Sequence, residues 1–161
     1  MGFLSFIGRV AFSAIFILAA WQKIQGFGQN GGAALDVLNP KFELFRKNVN
    51  EMFNVNFSLP QNVETKHLLM AAIVLEGVGG LLFILGSSLG AYLLLIFLAA
   101  VTPIIHDFYN YDLASPDYLH QFNSFLKNLS LFGALLFFLG MRNSAIRQMM
   151  RKKQPVKAKT L

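Results

Sequence analysis

Cysteine is missing from the sequence, which excludes disulfides, thiolate metal ligation and a cysteine nucleophile. Charge is scarce too: charged residues make up 14% of the chain, against about 25% in an ordinary water-soluble domain. What replaces them is apolar. Hydrophobic residues account for 55% of the 161 positions, 17 of them Phe, and the mean hydropathy is +0.50. Such a composition predicts a lipid-embedded chain forming one compact module. Acidic residues are the scarcer sign, 8 against 14 Lys and Arg, and the net charge of +6 has to be read from where those residues fall.

Apolar runs cover 3–21, 68–85, 89–105 and 122–141, each within the roughly 17 to 25 helical residues that cross a bilayer core. They predict an all-α integral membrane four-helix bundle occupying residues 1–141 as a single four-span domain, followed by a basic tail over 142–161. The second run carries Glu76, whose cost of roughly 3 kcal/mol at mid-helix is offset by its many Leu, Ile, Val and Phe residues. The first run holds Arg9 and ends in Trp21-Gln22-Lys23 without a small-residue cleavage site, so it reads as a retained span rather than a secretory signal.

Orientation follows from the basic residues. Arg142, Arg147, Arg151, Lys152, Lys153, Lys157 and Lys159 follow the fourth run with no acidic residue among them, which predicts a cytosolic tail and, with four spans, a cytosolic N-terminus. Apart from Glu76, the acidic residues then lie in the two lumenal connections. The tail lacks the aromatic and groove-reading residues of a nucleic-acid binder, so no nucleic-acid partner is expected.

The first lumenal connection, 22–67, is too long to lack an element of its own. Asn39 before Pro40 reads as an N-cap with proline at the first helical position, and Phe42, Phe45, Val49 and Met52 recur at helical spacing. A short amphipathic interfacial helix is the expectation. Gly26, Gly28, Gly31 and Gly32 precede it without a strand and do not form a dinucleotide fingerprint. Asn56-Phe57-Ser58 is a glycosylation triplet on the lumenal side. In the second connection Tyr109 and Tyr111, with Trp21 at the same level, read as an interfacial aromatic belt, and His106 and Asp107 as its polar rim. His106, Asp107, Asp112 and His120 lack a tight ligand spacing, so no metal site is expected.

An ionisable group at membrane depth persists only where it faces protein or water, which singles out Arg9, Glu76 and Lys127. Counted from the lumenal ends of the runs at about 1.5 Å per residue, the three lie within about 5 or 6 Å of one level. Lys23, near the rim, would have to reach about 16 Å. The expectation is therefore a buried polar cluster of Arg9, Lys23, Glu76, Lys127 and Asn128 in which Glu76 pairs with Arg9, Lys127 or both. Such a cluster either fixes helix register or floors a pocket for a lipid headgroup, a quinone or a cargo peptide. No catalytic constellation and no resident cofactor is expected.

Three segments together resemble a known family: Arg9 with the run ending Trp21-Gln22-Lys23, Glu76-Gly77-Val78-Gly79-Gly80-Leu81-Leu82-Phe83-Ile84-Leu85-Gly86, and Lys127-Asn128-Leu129-Ser130-Leu131-Phe132-Gly133-Ala134. The chain is similar to the plant HR-like lesion-inducing proteins of the DoxX-like superfamily. That resemblance implies a four-helix membrane protein associated with hypersensitive-like cell death. It also implies two functional directions, a lipid or cargo adaptor of the endoplasmic reticulum or a quinone-binding accessory subunit of a DoxX-type oxidoreductase. Lys157-Ala158-Lys159-Thr160-Leu161 resembles a Lys-x-Lys-x-x retrieval signal read by coat machinery, which favours the endoplasmic reticulum.

Overall fold

The computed structural model describes residues 2–28, 32–58, 60 and 63–153. Among the described residues the regular structure is helical: α1 (Phe3–Gln25), α2 (Gly32–Phe53), α3 (Thr65–Ile84), α4 (Ser88–Ile105), a 3-10 turn (Phe108–Asn110) and α5 (Pro116–Lys153). Four of these, all but α2 and the short turn, are long and apolar enough to cross a membrane.

Each of the four covers the apolar run that announced it, α3 stopping one residue short of its end, and local chemistry sets where each stops. Nothing in Gln22-Lys23-Ile24-Gln25 breaks a helix, so α1 continues to the Gly26 cap. Gly86 adopts φ 77°, a left-handed conformation that glycine takes without steric cost, and ends α3. Ser87 then caps α4 by accepting the Leu89 N–H at 3.2 Å. α5 starts earlier than its apolar run because Pro116 suits a first turn and the Ser115 hydroxyl accepts the Tyr118 N–H at 3.1 Å. It also continues through the basic residues to Lys153, so the first part of the expected tail is helical.

One boundary is corrected. α2 begins at Gly32, not at an Asn39 cap, and Pro40 lies inside it. Proline forfeits the bond to the Asp36 carbonyl. Ala34 and Leu38, both half-buried, nevertheless line a chamber beneath α2, and that contact keeps the upstream turns helical.

Close approach of α3 and α4 organises the interior. A Cβ on Gly90 would lie 2.4 Å from the Phe83 nitrogen and 2.8 Å from the Gly79 carbonyl oxygen, so only glycine allows this contact. On the other side of α3, Gly80 sits against Ile17 and Gly77 against Ala20, small-residue packing that lets the helix backbones approach closely. Phe16, Phe83, Leu94, Leu98 and Leu135 are among the side chains that fill the space between helices. The packing order is α1 on α3, α3 on α4, α4 on α5; α1 and α5 do not pack closely on each other. α2 lies against α3 and α4 at the end away from the α3–α4 turn, with Phe42 buried.

Candidate functional site

Glycine packing of α1 on α3 fixes which polar groups meet. With Gly80 against Ile17 and Gly77 against Ala20 in antiparallel helices, the next turns bring Lys23 level with Glu76. Lys23 Nζ donates to Glu76 Oε2 at 2.7 Å; the Glu76 side chain is 4% exposed and that of Lys23 30%. The ammonium also lies 5.7 Å from the centre of the Phe97 ring. The expected pairing of Glu76 with Arg9 or Lys127 is corrected by this contact. The count assumed that the lumenal ends of the apolar runs share a plane. Instead, helix contacts set the register and leave Arg9 at the opposite end, level with the α3–α4 turn.

Lys127 is exposed, and its neighbour Asn128 takes the inward position. Consecutive helical residues point about 100° apart, so only one of the two faces α4. Asn128 Nδ2 donates to the buried Thr102 Oγ1 at 3.1 Å. Lys127 lies one residue from that contact, near the α2 end, where a long side chain reaches the rim.

Lys23, Glu76, Asn128 and His106 edge a single chamber of about 420 Å³ whose walls include Phe16, Phe97, Leu98 and Val101. α2 closes it from above through Ala34, Val37 and Leu38. The closure is tied down by charge: Lys41 Nζ on α2 donates to Asp107 Oδ1 at 2.5 Å, and that carboxylate is 4% exposed. Asn110 Nδ2 supports Asp107 Oδ2 at 3.3 Å, and Asn48 Nδ2 on α2 donates to Asn110 Oδ1 at 2.7 Å. Sequence reasoning assigned Asp107 to the rim and passed over Lys41. The structure makes the two a latch. Replacing Asp107 with Ala strands the Lys41 ammonium, and amide exchange across α2 is expected to rise about tenfold or more relative to α4, a loss of one charge-assisted bond. Unchanged protection of α2 would show that the apolar contacts of Phe42 hold it alone.

The other predicted positions distribute around this frame. Trp21 and Tyr109 are exposed and Tyr111 is half-buried; the Tyr109 hydroxyl donates to the Pro103 carbonyl at 2.7 Å. His106 Nδ1 lies 3.4 Å from Gln121 Oε1. Asn56 is exposed beyond the end of α2. At the start of α3, Lys66 stands 2.8 Å from Glu64 and holds its carboxyl below the usual range. Among the described residues no three His, Asp or Glu side chains gather as metal ligands. Lys157 and Lys159 lie outside the described residues.

A family model described as HR-like lesion-inducing matches residues 1–141. The chain belongs to the HR-like lesion-inducing family. The matched segment of this family member takes in α1 to α4, the chamber, the latch and α5 as far as Met141. No curated protein and no solved structure matches the chain.

Proposed function

We propose that this HR-like lesion-inducing protein is a multi-pass protein of the endoplasmic-reticulum membrane whose chamber binds an amphiphile, a membrane lipid above all, acting as a lipid or cargo adaptor in hypersensitive-like plant cell death. Both termini face the cytosol in this reading. The large apolar side chains on the outer faces of the four long helices, Phe3, Leu4, Leu85 and Phe137 among them, suit contact with acyl chains. The seven basic residues that follow the fourth apolar run, with no acidic residue among them, support the orientation, and the Lys157 and Lys159 pattern supports retrieval by coat machinery.

The observation that carries the ligand reading is the chamber itself. Its walls are apolar, and its polar groups are confined to Lys23, Glu76, Asn128 and His106, the composition of a site that orients an amphiphile by its head. Asn128 spends one N–H on Thr102, and the Lys23 ammonium, charged and with two further N–H donors, is the group that recognises a headgroup oxygen. Phe16 and Phe97 beside that donor also suit a quinone ring, the reading in which the protein is an accessory subunit of a DoxX-type oxidoreductase.

The test starts from membranes. The chain is expected to resist alkaline extraction, and native mass spectrometry of the detergent-solubilised protein is expected to show a bound lipid that the Lys23→Met, Glu76→Leu double variant loses. A bound quinone would establish the accessory-subunit reading, and a bound peptide the cargo reading. An empty chamber in protein released by mild detergent would reduce the site to a helix-positioning device.

A further inference from the structure

Among the described residues three buried side-chain polar atoms have no hydrogen-bond partner: Arg9 Nη1, Ser13 Oγ and Arg142 Nη1. Arg9 and Ser13 belong to α1 and Arg142 to α5, yet packing brings the two helices' groups to one end of α3. The Phe83 ring lies 5.2 Å from Phe12 on α1 and 4.7 Å from Phe138 on α5. Arg9 is one turn before Phe12 and Arg142 one turn after Phe138; α1 runs antiparallel to α3 and α5 parallel to it, so each arginine is carried toward Gly86 and Ser87, one turn beyond Phe83. Ser13, fully buried, sits on the same face as Arg9, one turn deeper.

Arg9 is only 8% exposed, and its Nε donates to the Ser5 carbonyl at 3.2 Å, which fixes the guanidinium and leaves Nη1 free. Buried donors without partners are rare and point to a group that completes them. No acidic side chain of the chain can do so. The sequence has none between Glu76 and Asp107, none before Asp36 and none after Asp117. Glu76, the nearest along α3, lies about 15 Å down the helix from Gly86 and is taken by Lys23. The N-terminus of α4 opens at the same level, its N–H groups adding positive potential.

We infer that Arg9 and Arg142, with the start of α4, form a site for a phosphate group at the α3–α4 turn, and that in the membrane the phosphate is that of an anionic phospholipid. The inference rests on the membrane placement proposed above, which sets this end of the helices at headgroup depth. Guanidinium forks match phosphate oxygens in pairs, and two of them favour a lipid of net negative charge over a zwitterionic one. Because α1 and α5 do not pack closely on each other, a bound phosphate would bridge them.

The site is tested on the full chain in detergent, with phosphatidic acid, phosphatidylserine and phosphatidylcholine of identical acyl chains added in competition and retention read by native mass spectrometry. Wild type is expected to retain the anionic lipids about tenfold over phosphatidylcholine, and Arg9→Gln and Arg142→Gln each to lose about tenfold, the scale of one charge-assisted bond. Arg142, half-buried on the outer helix, gives the reading if Arg9→Gln fails to fold. The Lys23→Met, Glu76→Leu variant should keep the charge preference, which separates this site from the chamber. Inorganic phosphate alone is the second arm: Arg-dependent thermal stabilisation by it, with no lipid preference, assigns the site to a soluble phosphate compound. Equal retention of all three lipids by wild type without such stabilisation, or undiminished preference in the Arg9→Gln, Arg142→Gln double variant, overturns the inference. Extraction of wild type by alkali would instead strike the membrane placement and leave the selectivity measurement to stand by itself.

Discussion

Lys23→Met is expected to destabilise the detergent-solubilised protein by about 3 to 5 kcal/mol, because it leaves a buried carboxylate without its only ionic partner among the described residues. The reverse single change, Glu76→Leu, should cost less. Lys23 is the more exposed partner, so its freed ammonium can turn toward the rim, whereas Glu76 has nowhere to go. Combining the two replaces a desolvated ion pair with apolar groups of similar size, and such exchanges are often neutral or stabilising. Melting temperatures of wild type, both singles and the double variant therefore form a cycle with a large coupling term. Additive effects would show that the pair seen at 2.7 Å contributes nothing as a pair. The cycle also speaks to the chamber, since the double variant keeps its walls and removes its charged floor.

Gly90→Ala is the second large effect. The added methyl would meet the Phe83 nitrogen, the Leu82 carbonyl carbon and the Gly79 carbonyl oxygen, all between 2.4 and 2.8 Å. Backbone cannot swing aside as a side-chain tip does, so α3 and α4 must separate. A cost of about 3 kcal/mol is expected, at the upper end for overpacking, because the shift also unseats Leu94 from Gly79. Gly133→Ala on α5 is the internal control. Nothing lies within 4 Å of its added Cβ, and alanine is the better helix former, so that variant should match wild type or gain up to about 1 kcal/mol. If both variants melt alike, the close α3–α4 contact is not what holds the pair.

The long helices were legible because apolar runs leave few alternatives, and Gly86 and Ser87 mark the turn between α3 and α4 without ambiguity. Helix register was not. Whether Arg9, Lys127 or Lys23 meets Glu76 depends on offsets of a few residues, and Gly77 and Gly80 against α1 decide them. A stripe of small residues announces that two helices come close but not how far one has slid along the other. The choice between Lys127 and Asn128 failed for a related reason. Both are polar and adjacent, and Thr102 across the interface settles which turns inward. Pro40 read as a helix start because sequence gives the local signal alone, while the partial burial of Ala34 and Leu38 that extends α2 backwards comes from other parts of the chain. Asp107 was recognised and its partner was not, since Lys41 lies far away in sequence and carries no motif.

The order in which the helices pack has one more consequence. A row of α1, α3, α4 and α5 that is not drawn shut between its two outer members leaves a seam along the side of the protein, and Ile15 and Leu131, from those outer helices, both border the inner space. In the proposed membrane setting, a greasy guest could thus arrive sideways, sliding in from the surrounding leaflet with its tail still trailing outside, and neither the α2 cover nor the basic end would need to open for the exchange.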